Sequence, residues 1–375
     1  MAPTRPVEDV RPGRPRLRHP AALSGGAAAV GVLAAAFGAG VGLRYGVKTG
    51  LTLTSVTGFV LLAMGLALLV FAWRLAWPRL RGWRRLLLVP ISLLALVLLA
   101  SVMLATMYGV VAPRNQLGSA TPADRGLVYS DVTFRTRDGV LLSGWYMPSK
   151  NGAAVVLVPG AGSTRSATLA QAGVLAGHGY GVLLLDPRGQ GRSGGHGMDL
   201  GWYGDLDVAA AVDFLQSRPD VDGARIGAVG LSMGGEEVIG AAAADQRIRA
   251  VVAEGATSRT AADKAGWLPG GVAGALQRGI DRLTYATTEL LTPAPPPTPL
   301  RTAIARAHDV PFLLITAGTM PDEAHAARSF RSAAPGRVRT WNVPGAAHTR
   351  GLATAPTEWS TRVLGFLDTA LAAGD

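Results

Sequence analysis

The sequence predicts a two-part chain: three transmembrane helices, then an α/β domain built on a mostly parallel sheet with helices on both faces. Three observations carry this. The first 113 residues contain three long apolar stretches without a charged side chain. Composition then changes to short β-rich runs alternating with Ala-rich helical ones, the pattern of a sheet covered on both faces. Between one such run and the next helical stretch lies a Gly-x-Ser-x-Gly string.

The apolar stretches are 21–43, 51–73 and 86–112. Each meets the roughly 20 helical residues that a hydrocarbon core of about 30 Å requires. A soluble helix of that length would turn a charged face to water. The first stretch is rich in glycine, and its basic flank and small residues also fit a cleavable secretory signal. Its Gly38 and Gly42 have the spacing that lets helices approach closely.

Orientation follows from basic flanks. Residues 1–20 hold five Arg, the first loop only Arg44 and Lys48, and the second loop five Arg again. A basic cytoplasmic N-terminus and an extracytoplasmic 114–375 are therefore expected, with the chain integral to a bacterial plasma membrane. Trp73, Trp77 and Trp83 mark the inner interface, Tyr45 and Tyr108 the outer.

The net charge of +11 sits almost entirely in that first third: residues 1–113 carry +10 and the remainder +1. The basicity is thus topogenic, with membrane lipids as its partner, and a nucleic-acid surface on the folded domain is excluded. The absence of cysteine excludes disulfides, thiolate metal sites and a cysteine nucleophile.

Within 114–375, runs at 128–136 and 140–146 read as a hairpin around Arg137-Asp138-Gly139. Buried strands are expected at 154–158, 181–185, 226–229, 250–253, 312–316 and 338–343. Residues 256–309 interrupt the alternation as an insertion where a lid would sit, with the proline-rich 293–299 near its end.

Gly230-Leu231-Ser232-Met233-Gly234-Gly235 follows a buried strand and opens a helix. Glycines there permit the strained turn that lifts a serine hydroxyl clear of the backbone. Such a hydroxyl needs a base, itself oriented by a carboxylate. With the order serine, acid, histidine, His348 is the base, since it alone follows a strand; His325 falls on a helix and His308 inside the insertion. Asp322 is the first carboxylate past 312–316, with Glu323 and Glu254 as competitors. The oxyanion donors would be the backbone N–H groups of Met233 and Ala161, the latter from Pro159-Gly160-Ala161-Gly162-Ser163.

Four motifs in order carry a family resemblance: Arg137 to Tyr146, Asp186-Pro187-Arg188-Gly189-Gln190-Gly191-Arg192-Ser193-Gly194, the serine turn, and Gly345 to His348. From about residue 127 onward the chain resembles the α/β-hydrolase superfamily of serine hydrolases. The resemblance implies an eight-stranded, mostly parallel sheet, a Ser232–Asp322–His348 triad, no cofactor or metal, and a structural role for 186–193. In that family the acid usually follows a glycine by three positions, whereas Asp322 follows Gly318 by four. The expected function is a membrane-anchored serine hydrolase acting on a small-molecule or lipid acyl substrate. Peptidase, amidase, thioesterase, acyltransferase and a silent binding scaffold are the alternatives.

Overall fold

The structure is a computed structural model describing residues 20–79, 82, 90 and 114–373. The third apolar stretch, 86–112, lies outside the described residues except for Pro90, as do residues 1–19 of the basic N-terminus. Among the described residues two helices, not three, are long and apolar enough to cross a membrane, by length and composition.

These are α1 (Pro20–Thr49) and α2 (Leu53–Ala76). Thr52 starts α2 with a capping box: its hydroxyl accepts from the Ser55 N–H at 3.3 Å and Ser55 Oγ accepts from the Thr52 N–H at 2.8 Å. The two helices close on a seam of small residues. A Cβ at Gly38 would overlap the backbone of Gly58 and Leu62, one at Gly58 that of Gly42, and one at Gly65 that of Ala35. Gly38 and Gly42 therefore do allow the close approach their spacing suggests.

An eight-stranded sheet in the order β1-β2-β4-β3-β5-β6-β7-β8 organises the rest of the chain. The strands are β1 (Ser130–Arg135), β2 (Leu141–Met147), β3 (Ala154–Val158), β4 (Gly181–Leu185), β5 (Ile226–Leu231), β6 (Ile248–Glu254), β7 (Phe312–Ala317) and β8 (Val338–Val343). β1 and β2 form the antiparallel hairpin, turning at Gly139 with φ +85°, and β2 runs antiparallel to β4; all later pairings are parallel. Buried on both faces, β3, β4 and β5 are continuous apolar or small-residue runs, as parallel strands must be.

Helices cover both faces. On one side α4 (Gly204–Gln216), α5 (Met233–Ala244), α8 (Leu300–Arg306) and α9 (Pro321–Arg331) pack Leu215, Ile239, Ile304 and Phe330 against the sheet. On the other, α3 (Leu169–Gly177) and α11 (Pro356–Ala370) contribute Leu175, Trp359 and Phe366. A short α10 (Gly351–Thr354) leads into α11.

The interruption at 256–309 folds as α6 (Ala261–Ala265), the long α7 (Gly271–Leu291) and α8, with 293–299 neither helix nor strand. Asp263 fastens it, accepting from the N–H groups of Arg259 (3.1 Å), Thr260 (3.0 Å) and Leu300 (2.6 Å).

Candidate active site

β5 runs into α5 through Ser232, whose backbone is held at φ +55°, ψ −122°. Such a conformation costs a non-glycine residue about 1–3 kcal/mol and persists because its surroundings fix it. The flanking glycines make it possible. A Cβ at Gly230 would run into the backbone of Gly234, and one at Gly234 would lie 2.5 Å from the carbonyl oxygens of Val158 and Pro159. The Ser232 N–H donates to the Glu254 carbonyl at 2.7 Å, fastening the turn to β6.

The loop after β8 brings His348 over this turn. Its Nε2 lies 2.8 Å from Ser232 Oγ and its Nδ1 2.6 Å from Glu323 Oε1. Gly255 makes room: with φ +76° and no side chain, it sits where a Cβ would come within 2.9 Å of the imidazole. Thr319 clips the acid loop to the histidine loop, its Oγ1 donating to the Ala346 carbonyl at 2.8 Å.

The carboxylate on His348 is thus Glu323, a correction to the Asp322 expectation. Pro321 starts α9, and the first helical turn points Asp322 and Glu323 in different directions. Asp322 faces solvent, whereas Glu323 is buried and turns back under the end of β7, its Oε2 accepting the Ala317 N–H at 2.7 Å. The longer glutamate arm spans the extra residues between Gly318 and the helix.

Glu254 does not touch the imidazole through a hydrogen bond. Its Oε1 accepts the Gly351 N–H at 2.7 Å and its Oε2 the Trp359 indole N–H at 3.0 Å, so it braces the segment just past His348. Burial pushes its carboxyl pKa up, opposed by those two donors. The imidazole of His348 is held above its ordinary value, chiefly by the hydrogen bond to Glu323, against the opposing effect of partial burial. His325 and His308 are exposed and make no hydrogen bond to Ser232.

Met233 is the first residue of α5, where a backbone N–H has no intrahelical acceptor. Ala161 lines the same cleft as Ser232 and His348, and a Cβ on its neighbour Gly160 would lie 3.2 Å from Ser232 Cβ. The loop is held from outside: Asn115 Nδ2 donates to the Gly162 carbonyl, and the Gly162 N–H points at Met198 Sδ at 3.3 Å.

The cleft, about 470 Å³, is lined by the 160–171 segment, Leu231, Ser232 and residues 348–353. The residues lining it do not include any of 256–309. Gln171 and Arg350 in its wall carry no motif that would have marked them in the sequence. The 186–193 loop is a brace: Asp186 accepts the N–H groups of Arg165 and Arg192, both at 2.9 Å, and Ser193 Oγ donates to the Asp186 carbonyl at 2.6 Å.

Sheet order, serine turn and histidine loop together give the α/β-hydrolase fold. Residues 149–299 match the family described as serine aminopeptidase, S33. A solved esterase of Pyrococcus furiosus superposes with a TM-score of 0.56 at 26% identity, covering 69% of this chain and 98% of that one. An uncharacterized protein of Mycobacterium tuberculosis is 37% identical over 133 residues, 35% of this chain and 45% of its own length. A polyketide transferase of a Penicillium species is 36% identical over 133 residues, 33% of this chain and 44% of its own. The chain therefore spans less than half the length of these two curated relatives.

Proposed function

We propose that the protein is a membrane-anchored serine hydrolase cleaving an ester or related acyl bond through Ser232, His348 and Glu323. The observation that carries this reading is the continuous relay from Ser232 Oγ through the imidazole to a buried carboxylate. With Glu323 ionised, the imidazole keeps its proton on Nδ1, which leaves Nε2 to accept the serine proton as Oγ attacks the carbonyl carbon. On this reading the Met233 and Ala161 N–H groups donate to the developing oxyanion. His348 then protonates the leaving group, and water attacks the acyl-enzyme to regenerate the serine.

A fluorophosphonate probe applied to the detergent-solubilised protein tests this. Labelling is expected in the wild type and absent in Ser232→Ala and His348→Ala. A folded wild type that stays unlabelled overturns the reading and favours a binding scaffold on the same fold.

A second outcome of the acyl-enzyme is transfer to an acceptor other than water, and the relative named as a polyketide transferase favours considering it. Partition of an activated acyl ester between acid and acyl adduct, with added alcohols or amines, separates the two.

The anchor rests on α1, α2 and the 86–112 stretch, and the five–two–five distribution of basic residues supports an extracytoplasmic catalytic domain. Protease added to intact cells is expected to degrade the chain beyond Arg114. Degradation only after permeabilisation reverses the orientation.

A further inference from the structure

The long helix α7 is amphipathic in the opposite sense to a helix on a water-soluble domain. Its inward face holds Gly274, Asp281, Thr284, Thr288 and Leu291, all buried. Asp281 accepts from Lys264 Nζ at 2.9 Å and Gln277 Nε2 at 3.1 Å, and the hydroxyls of Thr284 and Thr288 return to their own helix at 2.9 Å. Its outward face carries Val272, Leu276, Leu283 and Leu290, which are 87, 56, 55 and 72% exposed. Their spacings of four and seven residues put them on one stripe. A helix docked by its polar side and showing apolar side chains outward is built for an apolar environment outside the domain.

The helix itself indicates which environment. Its last residue, Leu291, packs against α1 with Val41 and Leu43, at a point where Gly40 leaves the space that Leu291 fills. That contact sets Leu290, the neighbouring residue and the last of the stripe, beside the α1–α2 pair, which shows Leu33, Val56, Val60 and Val70 outward. We propose that α7 lies in the membrane–water interface with Val272, Leu276, Leu283 and Leu290 set into the lipid. This rests on the reading that α1 and α2 span the bilayer. The insertion then serves as a second attachment, alongside the spans, that fixes the height and tilt of the catalytic domain over the surface.

Because the chain has no cysteine, single-cysteine variants of the full-length protein carry a nitroxide at a chosen site without other substitutions. Leu276→Cys and Leu283→Cys report on the stripe, Val60→Cys on the outward face of α2, and Thr357→Cys on an exposed position of α11. In phosphatidylcholine/phosphatidylglycerol vesicles, collision with oxygen, which concentrates in lipid, is compared with collision with a water-soluble nickel chelate. Positions 276 and 283 are expected to match position 60, with an oxygen-to-nickel ratio several-fold above that at 357. Nickel-favoured collision at 276 and 283 with oxygen-favoured collision at 60 overturns the proposal and leaves the anchor standing. Nickel-favoured collision at 60 as well overturns the anchor. Shielding from both reagents at 276 and 283 means that protein, either 86–112 or a second copy, covers the stripe, which also overturns it.

Discussion

One position separates two neighbouring carboxylates that the sequence presents as near equals. Asp322 points to solvent and Glu323 is buried against His348, so their substitutions should differ sharply. On the proposed mechanism Glu323→Gln lowers kcat/KM by about 10³–10⁴-fold, because a tautomer-fixing carboxylate is lost. Asp322→Asn changes it by less than about twofold, as an exposed substitution should. The reverse pattern, a large loss in Asp322→Asn and little in Glu323→Gln, measured on an activated acyl ester, would return the acid role to the first of the pair. The pH profile supplies a separate check. Catalysis needs neutral His348, whose pKa lies above the ordinary 6.5, chiefly through Glu323. Activity should therefore rise with pH through a midpoint above 6.5, and the residual activity of Glu323→Gln should titrate at a lower pH. Serine and histidine were legible because chain order and strand ends single them out. The acid was not, because side-chain direction in the first turn of α9 is set by Pro321 and by the reach of a glutamate, which spacing alone does not encode.

At the level of elements, the first turn of α5 contains a buried carboxyl close behind the nucleophile. Burial pushes Glu236 up to about 7, although its Oε1 accepts the N–H groups of Thr257 at 2.9 Å and Ser258 at 2.8 Å. The folded form thus holds the proton more tightly than the unfolded chain, with its ordinary value of 4.5. The stability this gives is fully present below about 4.5 and is lost as pH rises through about 7. Glu236→Gln removes that loss, so its melting temperature should exceed the wild type's by more at pH 8 than at pH 5. A constant difference would contradict it. In the α1–α2 seam, Gly58→Leu drives a side chain into the backbone around Gly42 and should reduce the yield of folded protein in detergent. Gly25→Leu, with nothing within 4 Å, should not. The strands were legible because doubly buried parallel strands are continuous apolar runs. α7 was not, since hydrophobic periodicity says that a helix has two faces and nothing about which one turns inward.

For the whole molecule, the sequence already divides the chain where its composition changes, at about residue 114, and charge counting assigns the basicity to the first part. What it does not reveal is how the halves touch. Among the described residues Leu291 packs against α1 across that division, and the first residues of the second part are clasped by the 186–195 loop and the loop carrying Ala161. Arg114 donates to the carbonyls of Gly191 (3.2 Å), Ser193 (2.7 Å) and Gly195 (3.2 Å), the Asn115 N–H donates to Gln190 Oε1 at 2.9 Å, and the Asn115 amide reaches Gly162.

That clasp bears on where the chain can be cut to obtain the α/β domain without α1 and α2. Beginning a fragment at residue 118, still twelve residues ahead of the first strand, discards Arg114 and Asn115 and removes their hold on the segment carrying Ala161. Beginning at 114 keeps it. On the proposed mechanism both fragments retain the Ser232–His348–Glu323 relay, so both should react with the fluorophosphonate probe. The shorter one should turn over an acyl ester more slowly, with the deficit in kcat, and equal kcat values would show that the tether carries no catalytic role.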